Sequence, residues 1–513
     1  MKQKMPKEKK KLIWALILLL GGNLLLFLLI WLLNKYDNIY LDQILFQIKS
    51  PAVGTNKNLL SSAYIRVGLF GVLLTALEVF LYRILSGYSK KLKAKQGYIE
   101  YCSKKVCAFF KKTALPFALA TLLLAVSLFI TKLKVVPYIG TVSEESDFIK
   151  EHYVAPTNEV LTFPQQKKNL IYIFLESMET TYTSSADGGA QIENYIPELT
   201  LLAKENVSFS NTNRPGGALP FSGTTWTAAA MVAQTSGISI KVPLTAENYG
   251  GENSFLPGIT SIGEVLEQNG YEQTLLIGSD AAFAARDSYF SDNGNYNIVD
   301  INVLKAEGRL DEDYRVWWGY EDARLFEYAK EELAKLHETG KPFNFTMLTA
   351  DTHFPDGYFC EKCPVQYKEQ YANVLSCSSK QVYEFVEWLK TQPYYNDTTI
   401  IISGDHLTMD PQFLKDVDEQ YTRTVYNCII NSSVNPIKTT NRLFGTFDMF
   451  PTTLSAMGVR IEGDRLGLGT DLFSASETLT EMYGFTQLNE ELQKKSLYYN
   501  ETFVGMKPKE EKN

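Results

Sequence analysis

The chain has 513 residues, of which 45% are hydrophobic and 13% aromatic, so it has enough apolar side chains to build a core and is not intrinsically disordered. Its charge is unevenly distributed. Residues 1–140 carry 21 Lys and Arg against 5 Asp and Glu, a net charge of +16, whereas residues 141–513 carry 29 against 53, a net charge of −24. This long acidic segment would repel phosphate backbones, which excludes a nucleic-acid-binding protein. The asymmetry predicts two physically different parts.

The basic part contains three apolar runs of roughly 20 residues, each long enough to cross a hydrocarbon core as a helix. The first has the Lys-rich start of a signal peptide, but it is longer than the apolar region of one and no small-residue cleavage site follows, so we interpret it as a retained span. The second carries Arg66, Glu78 and Arg83, and the alternative is an amphipathic helix on the membrane surface. We prefer a span, because both arginines can reach the interfaces. The three runs are 12–33, 63–85 and 113–131.

The lysines predict the orientation of these spans. Six lie within residues 1–11 and eight within 90–112, but only three lie within 35–57. By the positive-inside rule, the N-terminus and the second loop are cytoplasmic, and everything after about Lys132 is outside. We therefore expect a multi-pass protein of the cell membrane with an extracytoplasmic acidic part.

The predicted orientation in the membrane also determines how the cysteines are interpreted. Cys102 and Cys107 fall in the cytoplasmic loop and are expected to be reduced, whereas the other four fall outside, where disulfides persist. A Cys360–Cys363 or Cys363–Cys377 bridge is the preferred interpretation. A three-cysteine zinc site is the alternative, without a fourth Cys or His at ligand spacing. The four outer cysteines are Cys360, Cys363, Cys377 and Cys428.

The acidic part alternates apolar strands with helical patterns, which predicts an α/β fold with a mainly parallel sheet covered on both faces. In such sheets ligands bind at the carboxyl ends of the strands. The predicted strands are 170–175, 273–277, 343–348 and 399–402, and the predicted helices include 262–268, 322–337 and 379–391.

Polar side chains follow each of the four predicted strands. Any one of them is explained equally well as a helix cap or turn residue. Together they indicate an active site, because two of the four histidines in the chain are among them. Carboxylates and imidazoles without thiolates favour one Mn²⁺ or Mg²⁺ ion, with Zn²⁺ possible. The residues are Glu176 and Ser177, then Ser279, Asp280 and Arg286, then Asp351 and His353, and finally Asp405 and His406.

A candidate nucleophile lies in the segment 223–238, GTTWTAAAMVAQTSGI, where small residues precede an Ala-rich helical run. A hydroxyl at a helix N-terminus can be activated by a metal, and the helix end favours an anion. Spacing alone leaves Thr224, Thr225 and Thr227 as alternatives, any of which is also explained as an N-cap. The chain contains no Cys-x-Pro-x-Arg motif, whose cysteine can be oxidised to formylglycine.

Together, GTTWTAAAMVAQTSGI, DTHFPDGY and SGDHLTM resemble the lipoteichoic acid synthase and phosphoglycerol transferase family, and most closely its phosphoglycerol transferase I branch. The family consists of membrane-anchored relatives of sulfatases and alkaline phosphatases, and the resemblance covers about 169–473. It implies a three-layer αβα domain of the alkaline phosphatase type. It also implies transfer of phosphoglycerol from phosphatidylglycerol to an extracytoplasmic glycan through a covalent phosphothreonine-type intermediate.

The resemblance also implies roles for individual residues. Thr227 matches the nucleophile and a metal ligand, Arg286 a residue that contacts the headgroup, and His353 a histidine near the transferred phosphate. Ala284 departs from relatives that have an aromatic residue two positions before the arginine. Trp317 and Trp318 resemble a tryptophan-containing block with no contact assigned. The implied ligands of one Mn²⁺ or Mg²⁺ are Glu176, Thr227, Asp405 and His406.

These expectations define the domain organisation and the competing functions. We expect a membrane anchor over 1–137, a juxtamembrane helix and linker over 138–168, a catalytic domain over 169–475 and a C-terminal helical extension or tail over 476–513. The alternatives are a phosphoethanolamine transferase, or a sulfatase or phosphodiesterase that uses water as acceptor at the same site. A non-catalytic domain that only binds headgroups is disfavoured by the full set of expected ligands.

Overall fold

The computed structural model describes residues 7–36, 39, 41–50, 61–91, 97–242 and 255–505; side chains at 85–108, 110 and 111 are not described. The described chain divides into two compact units. One comprises 1–39 and 56–139, and the other 40–55 and 140–513. The side chains of Cys102 and Cys107 lie outside the described part, so the expectation of reduced thiols there stays a prediction.

The first unit is a set of packed apolar helices: α1 (Lys7–Lys35), a π-helical turn (Tyr64–Leu69) leading into α3 (Phe70–Lys91), and α4 (Gly97–Lys132). Helix α2 (Leu41–Lys49) lies between them in sequence but belongs to the other unit. Three stretches in the described residues are long and apolar enough to cross a membrane. They are Lys7–Lys35, Ser61–Ile84 and Lys112–Lys132.

The second apolar stretch carries a carboxylate, and its partner lies on the first helix. Asn23 Nδ2 donates to Glu78 Oε2 at 2.7 Å and to Thr75 Oγ1 at 3.0 Å. The packing of these helices therefore gives the Glu78 carboxylate a hydrogen-bond partner. This carboxylate is the group that makes it costly for the segment to cross a membrane.

The second unit is built on a six-stranded sheet in the order β4–β3–β5–β2–β6–β7, in which only β7 is antiparallel to its neighbour. The predicted α/β fold with a mainly parallel sheet is confirmed. Two small antiparallel pairs, β1–β8 and β9–β10, lie outside it. The strands are β1 (Leu161–Thr162), β2 (Asn169–Leu175), β3 (Glu272–Ile277), β4 (Asn297–Val299), β5 (Phe343–Leu348), β6 (Thr398–Gly404), β7 (Asn427–Ile430), β8 (Arg460–Ile461), β9 (Arg465–Leu466) and β10 (Gly469–Thr470).

Helices cover the sheet, and the core between them consists of the Ile, Leu, Phe and Met side chains of β2, β5 and β6 and the apolar faces of the long helices. One predicted boundary is wrong: the helix expected to begin at Ser379 begins at Gln370. The helices are α5 (Val135–Ser143), α6 (Phe148–His152), α7 (Pro197–Glu205), α8 (Thr227–Ser236), α9 (Ile262–Gln268), α10 (Arg286–Asp292), α11 (Ile301–Ala306), α12 (Asp322–Glu338), α13 (Gln370–Lys390), α14 (Met449–Ala456) and α15 (Leu479–Gln493), with a π-helical turn at Tyr499–Phe503.

The register of the central strands determines where the active-site candidates emerge. Leu175 at the end of β2 pairs with Gly404 at the end of β6, so the residues that follow both strands leave the sheet at the same level. On the other side of β2, Phe174 pairs with Leu348 at the end of β5. The carboxyl ends of three adjacent strands therefore form one edge.

Candidate active site

Three side chains with metal-ligating atoms converge at this edge. Glu176 directly follows β2, and Asp405 and His406 directly follow β6. Their ligand atoms lie within 4.8 Å of one another. His406 Nε2 is 3.6 Å from Glu176 Oε1 and 3.4 Å from Asp405 Oδ2. Three of the four residues expected as ligands thus form one buried cluster that could hold a metal ion.

Hydrogen bonds around the cluster leave the right atoms available for a cation. His406 Nδ1 lies 2.8 Å from the Leu407 carbonyl oxygen, which makes Nδ1 the protonated nitrogen and leaves the Nε2 lone pair facing the carboxylates. Asp405 Oδ1 accepts from the backbone N–H groups of Ser177 at 2.7 Å and His406 at 2.6 Å. Asp405 Oδ2 is buried and has no hydrogen-bond partner among the described residues. A divalent cation would satisfy both this oxygen and Nε2.

Burial is the largest influence on the protonation of this cluster. It raises the pKa of Asp405 to about 7, with the charge of Glu176 as the next cause. Burial also raises the pKa of Glu176, but the imidazoles of His353 and His406 outweigh it, so that pKa lies below its usual value. Burial lowers the pKa of His406, whereas Asp405 and Glu176 raise it to a net value above the usual one. Without a cation, the cluster therefore retains protons near neutral pH.

Thr227 begins α8 and points at the same cluster. Its Oγ1 donates to Glu176 Oε2 at 3.2 Å and lies 3.3 Å from His406 Nε2. Helix α8 is fixed to the sheet by Gln234, which accepts from the Tyr172 hydroxyl at 2.8 Å and donates to the Gly404 carbonyl at 2.9 Å. Every residue of α8 after Thr227 is buried, and the small alanine side chains allow the helix to approach the sheet closely.

The structure separates Thr227 from the two other threonines that spacing left open. Thr224 Oγ1 donates to the Phe221 carbonyl at 2.9 Å and accepts from the Phe221 N–H at 3.0 Å, so it closes a turn. Thr225 Oγ1 is buried without a hydrogen-bond partner in the described residues. Among the three hydroxyls, only that of Thr227 contacts the carboxylate and imidazole cluster.

Arg286 lies at the N-terminus of α10 with its guanidinium buried at 5% exposure. Its Nε and Nη2 donate to the carbonyl oxygens of Phe283 at 3.0 Å and Asp280 at 2.8 Å, and Nη2 also reaches Ser279 Oγ at 3.1 Å. In the described part of the chain, no carboxylate oxygen lies within 4.0 Å of it. Burial lowers its pKa to about 10, which leaves it charged. A buried cation held by neutral groups is suited to bind an anion.

The backbone before Arg286 is unusual. Ala284 and Ala285 both have φ of +58°, in the left-handed region that costs a non-glycine residue on the order of 1–3 kcal/mol. An aromatic side chain lies one residue before Ala284, where the centre of the Phe283 ring is 5.7 Å from the guanidinium carbon of Arg286.

Trp318 connects this loop to His353. Its ring centre lies 5.5 Å from that of Phe283 and 4.5 Å from that of His353. His353 Nδ1 lies 2.7 Å from the carbonyl oxygen of Phe354. The charge of His353 also lowers the pKa of the Glu176 carboxyl. The sequence marked Trp318 only as part of a block, and nothing in its spacing indicated this ring contact.

Helix α2 is a part of the site region that the sequence did not predict. Asp42 Oδ2 accepts from Ser222 Oγ at 2.7 Å and from the Gly223 N–H at 3.0 Å. Phe46 is 1% exposed, with its ring centre 5.3 Å from that of Trp226, the residue before Thr227. The nine-residue helix therefore supports the segment that leads into α8.

The preferred disulfide interpretation is wrong for the described cysteines. Cys360, Cys363, Cys377 and Cys428 are all buried with free thiols, and none is bonded to another. The first three nevertheless lie together, with 3.5 Å between the sulfurs of Cys360 and Cys363 and 3.7 Å between those of Cys360 and Cys377.

Comparison with known proteins agrees with this architecture. The family model described as Sulfatase matches residues 168–459. Phosphoglycerol transferase I of Salmonella choleraesuis (strain SC-B67) is 31% identical over 329 residues, which cover 63% of this chain and 41% of that protein, and the same enzyme of Salmonella typhi gives the same values. The chain thus spans about two fifths of the length of these curated relatives.

Two solved structures are similar to the chain at lower identity. The lipoteichoic acid synthase LtaP from Listeria monocytogenes has a TM-score of 0.49 at 20% identity, over 65% of this chain and 83% of that one. A protein of the alkaline phosphatase superfamily from Vibrio parahaemolyticus has a TM-score of 0.47 at 20% identity, over 61% of this chain and 74% of that one.

Proposed function

From the fact that this chain belongs to the sulfatase family, we propose that it is a membrane-anchored phosphotransferase that moves phosphoglycerol from phosphatidylglycerol to an extracytoplasmic glycan. One observation carries the proposal. The Thr227 hydroxyl, at the start of a helix, contacts both Glu176 and His406. In this position the hydroxyl can act as a nucleophile, and the neighbouring imidazole of His406 can carry positive charge.

We propose that Glu176, Thr227, Asp405 and His406 hold one divalent cation, Mn²⁺ or Mg²⁺. Two observations support this: Asp405 Oδ2 is buried with no hydrogen-bond partner in the described part of the chain, and the lone pair of His406 Nε2 faces the carboxylates. When bound, the ion would lower the pKa of the Thr227 hydroxyl and offset charge on the phosphoryl oxygens.

In the first step, Thr227 Oγ1 attacks the phosphorus of phosphatidylglycerol. A Thr227 O–P bond forms, the bond from phosphorus to the diacylglycerol oxygen breaks, and diacylglycerol leaves as the alcohol with the proton that the hydroxyl lost. The N-terminus of α8 adds the partial positive charge of its free N–H groups next to the phosphate. The product is a glycerophosphoryl group on Thr227.

In the second step, a hydroxyl of the acceptor attacks the same phosphorus. A new O–P bond forms, the Thr227 O–P bond breaks, and Thr227 recovers a proton from the acceptor hydroxyl. His353 is the proposed carrier of the proton in both steps, supported by its charge interaction with Glu176 and its fixed orientation against Trp318. Arg286 pairs with the phosphate oxygens and holds the headgroup in place.

The membrane anchor has a role in this proposal, because it restricts the enzyme to the leaflet that contains the lipid donor. Two features support an extracytoplasmic catalytic unit. The lysine distribution predicts that the loop between the first two spans and the chain after the third lie outside. Independently, α2 from that first loop packs within the same compact unit as the catalytic residues, which requires both to be on one side.

Donor choice is tested with full-length protein, Mn²⁺ and vesicles of either phosphatidylglycerol or phosphatidylethanolamine. We expect diacylglycerol release from the first and not from the second. Arg286→Lys should lower kcat/KM by roughly 10- to 100-fold, because a charged hydrogen bond is worth about 1.5–3 kcal/mol and Lys lacks the planar fork of Arg. Release from phosphatidylethanolamine alone would instead indicate a phosphoethanolamine transferase.

The support that α2 gives to the nucleophile segment makes a separate prediction. Phe46→Ala should lower the rate of diacylglycerol release by on the order of 10- to 100-fold, because Trp226 loses its packing partner and Thr227 is displaced. Ile48→Ala on the same helix is the matched control, since Ile48 is 74% exposed and should keep the wild-type rate. Equal rates in the two variants would show that α2 does not position the nucleophile.

A further inference from the structure

Three thiols meet in the segment that follows His353, outside the catalytic set. Cys360 and Cys363 lie in the loop before α13, and Cys377 lies on α13 itself. All three are buried, and Val374 and Tyr358 complete the cluster. Nothing in the proposed reaction uses them.

We propose that Cys360, Cys363 and Cys377 bind a thiophilic divalent cation such as Zn²⁺ in a structural site. The spacing of the sulfurs carries the proposal. Thiolates at about 2.3 Å from a tetrahedral Zn²⁺ lie roughly 3.8 Å from one another. The observed separations of 3.5 Å and 3.7 Å from Cys360 are close to that value, and all three sulfurs lie within 4.8 Å of one another.

N–H donors are directed at two of the three sulfurs. The backbone N–H groups of Lys362 and Cys363 donate to the Cys360 sulfur, in a turn closed by the hydrogen bond from the Cys363 N–H to the Cys360 carbonyl at 3.1 Å. Gln381 Nε2 donates to the Cys377 sulfur at 3.4 Å. Donors directed at sulfur stabilise the deprotonated form that binds a metal. A disulfide between any two of the thiols would leave the third as a single buried thiol.

A second observation also indicates a cation in this region. Asp351 is 2% exposed, and neither of its carboxylate oxygens has a hydrogen-bond partner among the described residues. Its strongest charged neighbours are Asp322 and Cys360, which have the same sign when ionised. Buried acidic groups of one sign require protons or a cation.

The cation would tie the loop after His353 to α13. Tyr358 packs on the thiol cluster, its N–H donates to the Asp351 carbonyl at 2.7 Å, and its ring centre lies 6.5 Å from that of Trp317. The ring of Trp318, the next residue, packs against that of His353 in a tilted arrangement. The inferred site thus stabilises the part of the chain that orients His353, and it is separate from the Glu176, Asp405 and His406 cluster.

The test uses the full-length protein loaded with Co²⁺, because thiolate ligands give cobalt a near-ultraviolet charge-transfer band that carboxylate and imidazole ligands do not. We expect the band in the wild type, its loss in Cys377→Ser, and its retention in Cys428→Ser. Cys428 is the matched control, since its thiol is also buried but contacts the Leu202 carbonyl instead of the cluster.

A readout on the wild type does not depend on the folding of any variant. The protein should contain one equivalent of zinc per chain, and this zinc should stay bound when the protein is incubated with Mn²⁺. A mercurial that modifies thiols should release the zinc. In a separate sample without mercurial, denaturation with an alkylating agent and no reductant should label all three cluster thiols, as peptide masses would show. A disulfide between two of them, with no cobalt band, would overturn the inference.

Discussion

Thr227→Ala is expected to abolish diacylglycerol release from phosphatidylglycerol, with a fall in kcat of roughly 10⁴-fold or more, as for loss of a covalent nucleophile. The reason is geometric. Thr227 Oγ1 is the only hydroxyl of its segment that contacts Glu176 and His406. The measurement is a time course of diacylglycerol released by full-length protein in vesicles with Mn²⁺.

Thr225→Ala is the matched control for this substitution. Thr225 lies two residues earlier, is 6% exposed, and its hydroxyl has no hydrogen-bond partner in the described chain, so its removal leaves no group unsatisfied. We expect wild-type release from this variant. A Thr227→Ala protein with wild-type activity, or a Thr225→Ala protein without any, would contradict the assignment of the nucleophile.

Asp405→Asn is expected to have the second largest effect. It should lower the affinity of the protein for Mn²⁺, which calorimetry measures. The substitution keeps the fold, because Asn Oδ1 can still accept from the N–H groups of Ser177 and His406. It replaces the unpartnered Oδ2 with an amide nitrogen that cannot bind a cation. Loss of a supporting hydrogen bond to a metal ligand costs about 10- to 100-fold in affinity, and loss of the ligand atom should exceed that.

The same experiment has a control and a pH dependence. The control is Asp410→Asn, which changes a buried carboxylate outside the cluster, five residues after Asp405. This variant should bind Mn²⁺ with wild-type affinity. Because burial raises the pKa of Asp405 to about 7, protons compete with the metal below that value. Wild-type affinity should therefore fall as the pH drops through 7, by up to about tenfold per unit. Equal Mn²⁺ affinity in wild type and Asp405→Asn would exclude this metal site.

The sheet and the edge of the active site could be predicted because they depend on local patterns. Buried parallel strands are continuous apolar runs, and the residues after β2 and β6 must emerge together once those strands are neighbours. Strands β4 and β7, with three and four residues, are too short for such a pattern. The first two turns of α13 were missed because QYANVLSC is buried on every side from Tyr371 to Cys377 and therefore has no polar face with a helical period.

Other features depend on residues far apart in the sequence. Helix α2 packs on Ser222 and Trp226, each 180 residues from its partner in the helix, so its place beside the active site depends on contacts that no local pattern indicates. Spacing could not choose among the threonines before α8, because all three hydroxyls precede the same helix and only tertiary contacts distinguish Thr227. The grouping of Cys360 with Cys377 likewise depends on where α13 begins.

The glycerophosphoryl group on Thr227 is the central claim, and one measurement tests it directly. Full-length protein is mixed with Mn²⁺ and phosphatidylglycerol without an acceptor, quenched in acid during the first turnover, and its intact mass and peptides are measured. The account predicts one added glycerophosphoryl group, located on Thr227 and absent from Thr227→Ala. Diacylglycerol released in that turnover from unmodified protein, or the group on another residue, would contradict it.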